Sequence, residues 1–344
     1  MVTYAFLVLP AHNRVYGKAA IGLSAAELAV FNEQVLHRRL SDIGERTIGA
    51  VPYITFSCDE VTERDVGYLS NLSSLYALFE TDAGSLRPVT LRRLDRFGDE
   101  LVTIQRYSGK TNEHFTKLLL NVTLVCSARA GDYLDRPVRV IDPLCGRGTS
   151  LNQALVYGFD AAGVDGDSRA VAAYELFIKT WLQDQRLKHS SAASTLRRGG
   201  KAVGRRVDIT LAASKADLKG GQTRQITVIH DDTRYAGDHF RKESFDVLVA
   251  DLPYGVQHGT RGRDRALGGS PGGLLDEALP GWIGVLAPGA ALGLSWNTRV
   301  MRRAELVHRL RAAGLDVLDG PLFRGFEHRV DQSIQRDLVV ARKA

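Results

Sequence analysis

Apolar and polar residues follow two different periods along the last two thirds of the chain. From residue 137 onward, short apolar runs such as VRVID, AAGVD, ITVIHD and FDVLVAD alternate with stretches that have apolar residues at helical spacing. This strand-helix alternation predicts a parallel, doubly wound α/β sheet. The final run, SIQRDLVVARK, follows LDVLD without an intervening helix, so we expect the last strand of seven to be antiparallel to its predecessor.

Residues 1–108 predict a smaller α+β domain. The pattern indicates a strand in YAFLVLP, a helix in AAELAVFNEQVL, a strand in AVPYITFSC, a helix in DVGYLSNLSSLYALFE and a hairpin that turns at residues 97–99. The next stretch, SGKTNEHFTKLLLNVTLVC, begins like a linker and continues as an amphipathic helix. We therefore place a domain boundary near Gly109, with the second domain over residues 109–344.

Composition narrows the functional class only slightly. The 344 residues are 44% hydrophobic, enough for two cores, and the net charge of +6 suits an anionic partner. The three cysteines form no Cys-x-x-Cys pair and no histidine cluster has metal-ligand spacing, so we expect neither a disulfide scaffold nor a metal. The N-terminus lacks a basic lead and no apolar run approaches ~20 residues, so we expect a cytoplasmic protein without a membrane segment.

Much of the positive charge lies in one stretch, residues 184–224. This stretch contains ten basic and three acidic residues, a larger positive excess than that of the whole chain. Its glycines and dispersed arginines predict a flexible basic loop inserted into the second domain. Either the loop binds nucleic-acid phosphates or it is a solvated insertion; in the first case the contacts would come from Arg197, Arg198, Arg205 and Arg206.

The motif DPLCGRGT follows the first strand of the predicted sheet. Ligands of doubly wound sheets bind beyond the carboxyl ends of the strands, and Gly146 and Gly148 would let the backbone turn close to such a ligand. The helix that begins at Thr149 would direct its N–H groups toward it. The next strand ends in AAGVDGD, where Asp165 can accept hydrogen bonds from ribose hydroxyls. These features predict a cofactor that contains a nucleoside.

A second acidic strand end, VADLPYG, comes about a hundred residues later. Taken in order, DPLCGRGT, GVDGD, HDDT and DLPYG resemble the motifs of S-adenosylmethionine-dependent methyltransferases that modify exocyclic amino groups. The resemblance covers residues 109–344. Among these methyltransferases, the motifs are most similar to those of the THUMP-type tRNA guanine-N2 methyltransferases, the UPF0020 family and related ribosomal RNA enzymes. It implies a Rossmann-like methyltransferase sheet and S-adenosyl-L-methionine as the cofactor.

The resemblance also implies roles for individual residues around the cofactor. Asp165 would hold the ribose, and Asp232, or Asp231 in its place, would accept a hydrogen bond from the adenine amino group. Phe115 and Thr116 would close the pocket from the helix that precedes the glycine loop, although Phe115 equally suits an ordinary packing helix. The implied cofactor-binding residues are Asp142, Pro143, Gly146, Gly148, Asp165, Asp232, Phe115 and Thr116.

The DLPYG motif would hold a planar amine. An exocyclic amine is a poor nucleophile because its lone pair is delocalised, so the enzyme must orient it toward the methyl group. Asp251 and the carbonyl of Leu252 would accept the two N–H bonds, Pro253 would fix the turn, and Tyr254 would stack on the base. Because such a base must leave its stack, we expect a nucleotide of RNA or DNA as the substrate.

Two positions differ from the residues that are usual in the motifs of this family. Arg147 stands between the two glycines where a small residue is usual, which leaves the contacts of the loop open. Leu252 stands where a second proline is frequent, which is tolerable because it contributes a backbone carbonyl. Cys145 is interpreted as a residue that lines the loop, since a cysteine nucleophile would be expected in the later motif.

Two further groups are candidates for substrate contact. His328, Arg329, Asp331, Gln332 and Arg336 precede or open the last strand and would line the target pocket or form a solvated hairpin. Three arginines after DLPYG would contact phosphates or form a polar lid: Arg261, Arg263 and Arg265.

Our leading hypothesis is an RNA guanine-N2 methyltransferase that acts on tRNA. Only about twenty residues separate HDDT from DLPYG, which leaves no room for a large DNA target-recognition domain. The first domain would be an RNA-binding, divergent THUMP-like module or an unrelated one. The alternatives are a ribosomal RNA guanine-N2 enzyme, a DNA adenine-N6 or cytosine-N4 enzyme, a protein glutamine methyltransferase and an inactive cofactor-binding regulator.

Overall fold

The structure is a computed structural model that describes residues 1–10, 14–82, 84–254 and 271–344. Its strands form two separate sheets, one of five strands near the N-terminus and one of ten strands in the rest of the chain. The elements of the first part are β1 (Val2–Val8), α1 (Arg14–Gln34), β2 (Ser41–Ile48), β3 (Val51–Cys58), α2 (Glu63–Leu69), β4 (Leu75–Asp82) and β5 (Ser85–Val89).

The N-terminal sheet has the order β2-β3-β1-β4-β5, and its paired strands are antiparallel. β1 is the central strand, and its Tyr4, Ala5 and Phe6 are buried. Together with α1 and α2 this sheet forms the predicted α+β domain. The exact boundary near Gly109 stays a prediction.

Part of the predicted pattern in this domain is wrong. The helix predicted over residues 65–80 ends at Leu69, and β4 follows it. Ser70 Oγ and Asn71 Nδ2 donate to the carbonyls of Val66 and Gly67, so these polar side chains satisfy the last turn and end the helix. β2, an exposed edge strand, was not predicted.

The hairpin predicted to turn at residues 97–99 is also wrong. β4 pairs with β5 instead, and the chain after β5 is tied to other elements rather than to itself. Arg92 N donates to Ser70 Oγ, and Leu94 N donates to Asn71 Oδ1. A short helix then forms at α3 (Glu100–Thr103).

The second part of the chain follows the predicted alternation. Its elements are α4 (Glu113–Val125), β6 (Arg139–Asp142), α5 (Thr149–Val156), β7 (Asp160–Asp165), α6 (Ser168–Asp184), β8 (Lys188–Arg198), β9 (Lys201–Ala212), α7 (Lys215–Lys219), β10 (Arg224–His230), β11 (Phe245–Asp251), α8 (Pro271–Val285), β12 (Leu286–Asn297), α9 (Arg303–Ala312), β13 (Asp316–Leu318), β14 (His328–Arg329) and β15 (Gln335–Arg342). Short 3-10 helices lie at Thr233–His239 and Pro321–Arg324.

The large sheet has the order β13-β15-β12-β11-β6-β7-β10-β9-β8, and β14 pairs with β15. β10, β7, β6, β11 and β12 are parallel, whereas β15 is antiparallel to both β12 and β13. This confirms the doubly wound, Rossmann-like sheet and its antiparallel last strand. The chain order reverses between β6 and β11, and such a switch point is where ligands of open α/β sheets bind.

The prediction of a flexible loop over residues 184–224 is wrong. β8 and β9 form a long antiparallel hairpin, and β9 extends the sheet by pairing with β10. Apolar residues of β9 (Val207, Ile209 and Leu211) alternate with polar ones and are buried, and this period of two specifies a strand. Because Arg205 pairs with His230, the last residue of β10, the tip of the hairpin extends beyond the carboxyl edge of the sheet.

A buried polar network joins the two domains. Glu27 of α1 is fully buried and accepts hydrogen bonds from Ser73 N at 3.0 Å and from Asn121 Nδ2 of α4 at 2.7 Å. Tyr157 donates to Asn121 Oδ1 at 2.8 Å. Burial raises the pKa of Glu27, and the hydrogen bonds from Ser73 and Asn121 oppose that shift. α4 is thus held by the N-terminal domain on the side opposite to its contacts with the large sheet.

Candidate active site

A cavity of about 610 Å³ lies at the carboxyl edge of the large sheet. We call it the large cavity. It is lined by the loop after β6, the turn after β11, the start of α4 and the chain that precedes α4. Because β6 and β11 are neighbours at the switch point, their two loops lie side by side although they are about a hundred residues apart.

The loop after β6 depends on its two glycines. Gly146 and Gly148 have φ angles of 51° and 77°, in the left-handed region where a side chain is strained. A Cβ atom at Gly148 would also collide with the ring of Tyr174, whereas the space beside Gly146 is open. Gly148 caps the N-terminus of α5, so the first N–H groups of this helix lie at the cavity.

Pro143 and Cys145 help to shape the same loop. The Pro143 carbonyl accepts a 2.6 Å hydrogen bond from Thr233 Oγ1, which fixes the loop to the segment after β10. Cys145 lines the large cavity, and its Sγ lies where a side chain at Gly163 of β7 would be. Burial raises the pKa of Cys145 well above its usual value, so the thiol stays protonated. This location fits the interpretation of Cys145 as a residue that lines the loop.

Asp142 ends β6 with its side chain in the cavity wall. Its carboxylate accepts hydrogen bonds from Ser150 Oγ and, at 2.9 Å, from Leu144 N. Burial raises the pKa of Asp142 to about 7, while the hydrogen bonds from Ser150 and Leu144 oppose the shift. The charge of this group therefore changes near neutral pH, where a cationic ligand would favour the ionised form.

Asp165 holds the glycine loop directly. Its Oδ2 accepts a 2.7 Å hydrogen bond from Gly146 N, and its Oδ1 accepts a 2.8 Å hydrogen bond from Asp167 N. Burial raises its pKa, an effect that these two hydrogen bonds oppose. Asp167 and Arg169, rather than Asp165, are lining residues of the large cavity. The predicted contact of Asp165 with a ribose stays a prediction.

Asp231 and Asp232 each form an ion pair with an arginine side chain of the protein. Asp232 Oδ2 accepts from Arg234 Nη2 at 2.5 Å, and this hydrogen bond lowers the pKa of Asp232. Asp231 is buried, and its Oδ2 lies 2.7 Å from Arg198 Nη2 and 2.8 Å from His239 Nε2. The lining residues of the large cavity include neither aspartate. The adenine contact assigned to Asp232 therefore stays a prediction.

Phe115 and Thr116 lie on the first turn of α4 and both line the large cavity. Asn112 caps this helix by accepting hydrogen bonds from the N–H groups of His114 and Phe115. The cap fixes where the helix begins and so where Phe115, which is fully buried, meets the cavity.

Arg147 stacks on a residue that sequence reasoning missed. Its guanidinium carbon lies 4.7 Å from the centre of the Tyr107 ring, and Tyr107 Oη is 3.1 Å from Thr149 Oγ1. Both Arg147 and Tyr107 line the large cavity. The chain between the domains thereby covers the glycine loop. The sequence gives only one hint of this contact, which is that Tyr107 lies two residues before Gly109, at the predicted domain boundary.

Asp251 ends β11 and receives hydrogen bonds from three hydroxyl groups. Its Oδ1 accepts from Ser295 Oγ and Tyr254 Oη, and its Oδ2 accepts from Thr111 Oγ1 at 2.7 Å. Arg336 Nη2 lies 3.7 Å from the same Oδ2. These partners come from β12, the turn after β11, the chain before α4 and β15. Neither Thr111 nor Ser295 stands in a recognisable motif.

The Asp-Leu-Pro-Tyr turn (residues 251–254) lies in the wall of the large cavity, beside the glycine loop. Leu252 is buried, and its N–H donates to the Ser295 carbonyl at 2.8 Å, which fixes the turn against β12. Burial and the neighbouring Asp251 raise the pKa of Tyr254 well above its usual value, so the phenol keeps its proton. Gly255 and the arginines at 261, 263 and 265 lie outside the described residues.

A second cavity of about 280 Å³, which we call the junction cavity, lies between the two domains. Tyr16 of α1, residues 110–114, and His328, Arg329 and Arg336 of the C-terminal segment line it. Two members of the predicted C-terminal group, Asp331 and Gln332, are not among its lining residues. The structure thus brings three of the five residues together.

Three of the four arginines predicted to bind phosphates pair with carboxylates of the protein. Arg198 pairs with Asp231 and stacks 3.5 Å above the Tyr235 ring, Arg205 pairs with Glu175 of α6 at 3.0 Å, and Arg206 pairs with Asp208 at 2.8 Å. Arg197 is exposed at the hairpin tip and donates to the Gly200 carbonyl at 3.1 Å. The exposed positive charge of the tip therefore comes mainly from Arg197 and Lys201.

Two other kinds of feature bear on function. Within the described part of the chain, no group of three or more His, Cys, Asp or Glu residues could hold a metal ion. No helix among the same residues is long and apolar enough to cross a membrane.

Comparisons with known proteins give structural likeness only. No protein-family model and no curated protein matches the sequence. The chain is similar to a TehB-like SAM-dependent methyltransferase from Corynebacterium glutamicum, with 12% identity over 61% of this chain and 82% of that chain and a TM-score of 0.33. It is also similar to the Burkholderia thailandensis 1,6-didemethyltoxoflavin-N1-methyltransferase, with 14% identity over 68% and 80% and a TM-score of 0.37.

A third similar structure is a SAM-dependent methyltransferase from Methanosarcina mazei, with 15% identity over 62% of this chain and 95% of that chain and a TM-score of 0.36. Likeness at this level carries no inference about activity. The assignment of the fold rests on the strand order and strand directions of the large sheet.

Proposed function

We propose that the protein is an S-adenosyl-L-methionine-dependent methyltransferase that modifies an exocyclic amino group of a nucleobase in RNA, with guanine N2 in tRNA as the specific target. The observation that supports this proposal best is that the glycine loop and the Asp-Leu-Pro-Tyr turn line one cavity at the switch point. One loop suits a nucleoside cofactor and the other suits a planar amine, so donor and acceptor would meet between them.

The residues around the large cavity fit the proposed cofactor. Gly146 leaves open space beside the backbone, the N–H groups of α5 face the cavity, and Asp142 provides a carboxylate for a cationic methionine moiety. Phe115 and Thr116 line the same cavity. When bound, S-adenosyl-L-methionine would supply an electrophilic methyl group on its sulfonium.

Asp251 would orient the amine. An ionised carboxylate offers about four lone-pair sites, and the hydroxyls of Ser295, Tyr254 and Thr111 use three of them. The remaining site on Oδ2 can accept an N–H bond of the amine and stabilise the positive charge that develops on nitrogen. Because three hydroxyls hold the carboxylate, it needs little reorganisation during the reaction.

Two observations support a nucleic acid as the substrate, and the second of them favours RNA. The exposed Arg197 and Lys201 lie at the hairpin tip, beyond the same edge of the sheet at which the large cavity opens. Their charge can contact phosphates while a base occupies the site. Between β10 and β11 the structure has only a short 3-10 helix, so no large DNA-recognition domain is inserted there.

The decisive experiment identifies the polymer and the base together. Purified protein is incubated with methyl-labelled S-adenosyl-L-methionine and separate pools of tRNA, ribosomal RNA and DNA, and the products are digested to nucleosides. We expect N2-methylguanosine from tRNA and no label with the Asp251→Asn variant. Label in DNA alone, or no transfer to any nucleic acid, would contradict the proposal.

A further inference from the structure

The tip of the β8–β9 hairpin is anchored to the turn that follows β10. Arg198, the last residue of β8, donates a 2.7 Å hydrogen bond from Nη2 to Asp231 Oδ2. Its guanidinium carbon lies 3.5 Å from the centre of the Tyr235 ring, on the 3-10 helix after that turn. The side chain of Arg198 is 38% exposed and that of Asp231 only 5%, so a surface cation holds a buried carboxylate.

Asp231 depends on this cation. Its other partners are His239 Nε2, which lies 2.8 Å from the same Oδ2, and the N–H of Asp232, which donates to Oδ1 at 2.8 Å. Arg198 is the only permanently charged group that pairs with Asp231 among the residues that the structure describes. A buried carboxylate that loses its cation is strongly destabilised, so the turn after β10 and Arg198 should keep or lose their positions together.

The same turn is hydrogen-bonded to the glycine loop and to the residue that holds this loop. Asp231 N donates to the Asp165 carbonyl at 3.2 Å, and Asp165 Oδ2 accepts from Gly146 N at 2.7 Å. Thr233 Oγ1 donates to the Pro143 carbonyl at 2.6 Å, at the start of the glycine loop. A chain of hydrogen bonds therefore runs from the hairpin anchor to Gly146, which lines the large cavity, and the contact of Thr233 supports it.

The Arg198 guanidinium keeps N–H groups that can bind a second anion. An arginine carries five N–H donors, and within the described part of the chain only Nη2 of Arg198 is hydrogen-bonded, to Asp231. Lys201 lies opposite Arg198 in the hairpin and Arg197 precedes it, and both are exposed. A phosphate at the tip can therefore bind the free N–H groups and reduce the repulsion among three neighbouring cations without displacing Asp231.

We propose that Arg198 couples the binding of RNA phosphates at the hairpin tip to the binding of S-adenosyl-L-methionine in the large cavity, an inference that rests on the proposed function. The coupling needs two arrangements of the tip. In the anchored arrangement Arg198 lies on Asp231 and the glycine loop is held; in the detached one the guanidinium extends into solvent and the turn after β10 is released. Both ligands favour the anchored arrangement, so each raises the affinity for the other by the same factor.

The test measures the Kd for S-adenosyl-L-homocysteine, which cannot donate a methyl group, in the absence and in the presence of saturating tRNA. We expect tRNA to lower this Kd at least about 5-fold in the parent protein, the lower end of typical couplings between two sites. In Arg198→Met, which keeps an apolar stem and removes every donor, the Kd without tRNA should rise and the ratio of the two Kd values should approach one. Steady-state kinetics should show a higher KM for S-adenosyl-L-methionine with kcat little changed.

Arg197→Met is the matched control, because it removes a neighbouring charge of the tip that does not pair with Asp231. It should weaken tRNA binding and leave the ratio of Kd values, measured at saturating tRNA, close to that of the parent. Arg198→Lys can still pair with Asp231 and should retain part of the coupling. If Arg198→Met does not fold, Asp231→Asn is the second variant: it removes the charge that holds Arg198 and should also bring the ratio toward one.

Four results would overturn the coupling but leave the methyltransferase proposal standing. They are a ratio of one in the parent protein, a Kd that tRNA raises, a parental ratio in Arg198→Met, and an equal loss of the ratio in Arg197→Met and Arg198→Met. Absence of methyl transfer to any nucleic acid would instead refute the proposed function, and this inference with it.

Discussion

Thr111 Oγ1 donates a 2.7 Å hydrogen bond to Asp251 Oδ2, although 140 positions separate the two residues along the chain. Thr111 belongs to the segment between the domains, and Asp251 ends a central strand of the large sheet. The hydrogen bond therefore couples the position of that segment to the carboxylate proposed to orient the amine.

Thr111→Val should lower kcat, because valine keeps the shape of threonine but removes the hydroxyl that holds Asp251. We expect a decrease of about 10-fold, equivalent to one hydrogen bond to a charged group. Steady-state kinetics and the Kd for S-adenosyl-L-methionine, which should be unchanged, measure the effect. Thr111→Ser is the control and should keep most of the activity; equal losses in both variants would argue against a role for the hydroxyl.

Asp251→Asn should abolish methyl transfer and leave cofactor binding nearly intact. The amide loses the negative charge that would stabilise the amine in the transition state, while the glycine loop is untouched. Calorimetric titration with S-adenosyl-L-methionine beside a turnover assay separates the two effects. Substantial residual turnover would remove Asp251 from its proposed role.

Cofactor affinity should rise with pH through neutrality because of Asp142. Its pKa is raised to about 7, so this group is mostly protonated at pH 6 and mostly ionised at pH 8. A cationic ligand favours the ionised form, and we expect the Kd for S-adenosyl-L-methionine to fall about tenfold over this interval, with release of a proton on binding. Titration in buffers of different ionisation enthalpy detects the proton, and Asp142→Asn should lose the dependence.

Stability should change with pH in the direction opposite to cofactor affinity. A raised pKa in the folded state means that the contribution of Asp142 to stability is present at low pH and is lost as the pH rises through about 7. The free energy of unfolding without cofactor should therefore decrease from pH 6 to pH 8 in the parent more than in Asp142→Asn. An equal decrease in both would show that another group titrates.

The tip of the β8–β9 hairpin should contribute to RNA affinity. Arg197→Ser with Lys201→Ser removes two exposed charges beyond the carboxyl edge, so RNA binding should weaken and the slope of log affinity against log salt should decrease by up to about two. Lys188→Ser with Lys215→Ser removes the same charge near the opposite end of the hairpin, where Lys188 begins β8 and Lys215 begins α7, and is the matched control. Identical salt slopes for the two double variants would show that the tip makes no phosphate contact.

Replacement of Arg205 or Arg206 should have a different effect from replacement of the tip residues Arg197 and Lys201. Arg205 and Arg206 form ion pairs within the protein, with Glu175 and Asp208. Replacement of Arg205 would disturb the docking of the hairpin on α6, and replacement of Arg206 would remove its hydrogen bond to the His239 carbonyl. We therefore expect both variants to lose thermal stability, and a melting curve beside the RNA titration separates this effect from a loss of phosphate contacts.

Glu27→Ala should destabilise the contact between the domains. Ser73 N and Asn121 Nδ2 would lose their buried acceptor, which costs about 1–3 kcal/mol in the free energy of unfolding. Denaturant unfolding measures this change. Glu33→Ala, near the C-terminal end of the same helix, removes only an ion pair with the exposed Arg38 and is the control. It should leave the unfolding free energy nearly unchanged; a similar effect of both would refute the role of the network.

Local pattern was sufficient for the elements whose periodicity is strong. The parallel strands from VRVID to AALGLSW, their helices and the antiparallel last strand were all predicted, because buried strands and amphipathic helices leave clear apolar patterns. The same holds for the proximity of the glycine loop and Asp251, since both follow strands whose carboxyl ends meet at the switch point.

Tertiary structure alone decided the rest, for reasons that differ between sites. Residues 188–212 form a hairpin because β9 pairs with the edge of β10 and buries the apolar residues on one of its faces. The charge and glycine content of this segment concealed the hairpin. Thr111, Ser295 and Tyr107 reach the site from distant segments, and no local pattern marks a hydroxyl that will face a carboxylate. Propensity and periodicity thus determined the strands and their motifs, whereas long-range packing determined which side chains surround Asp251 and which residues line the junction cavity.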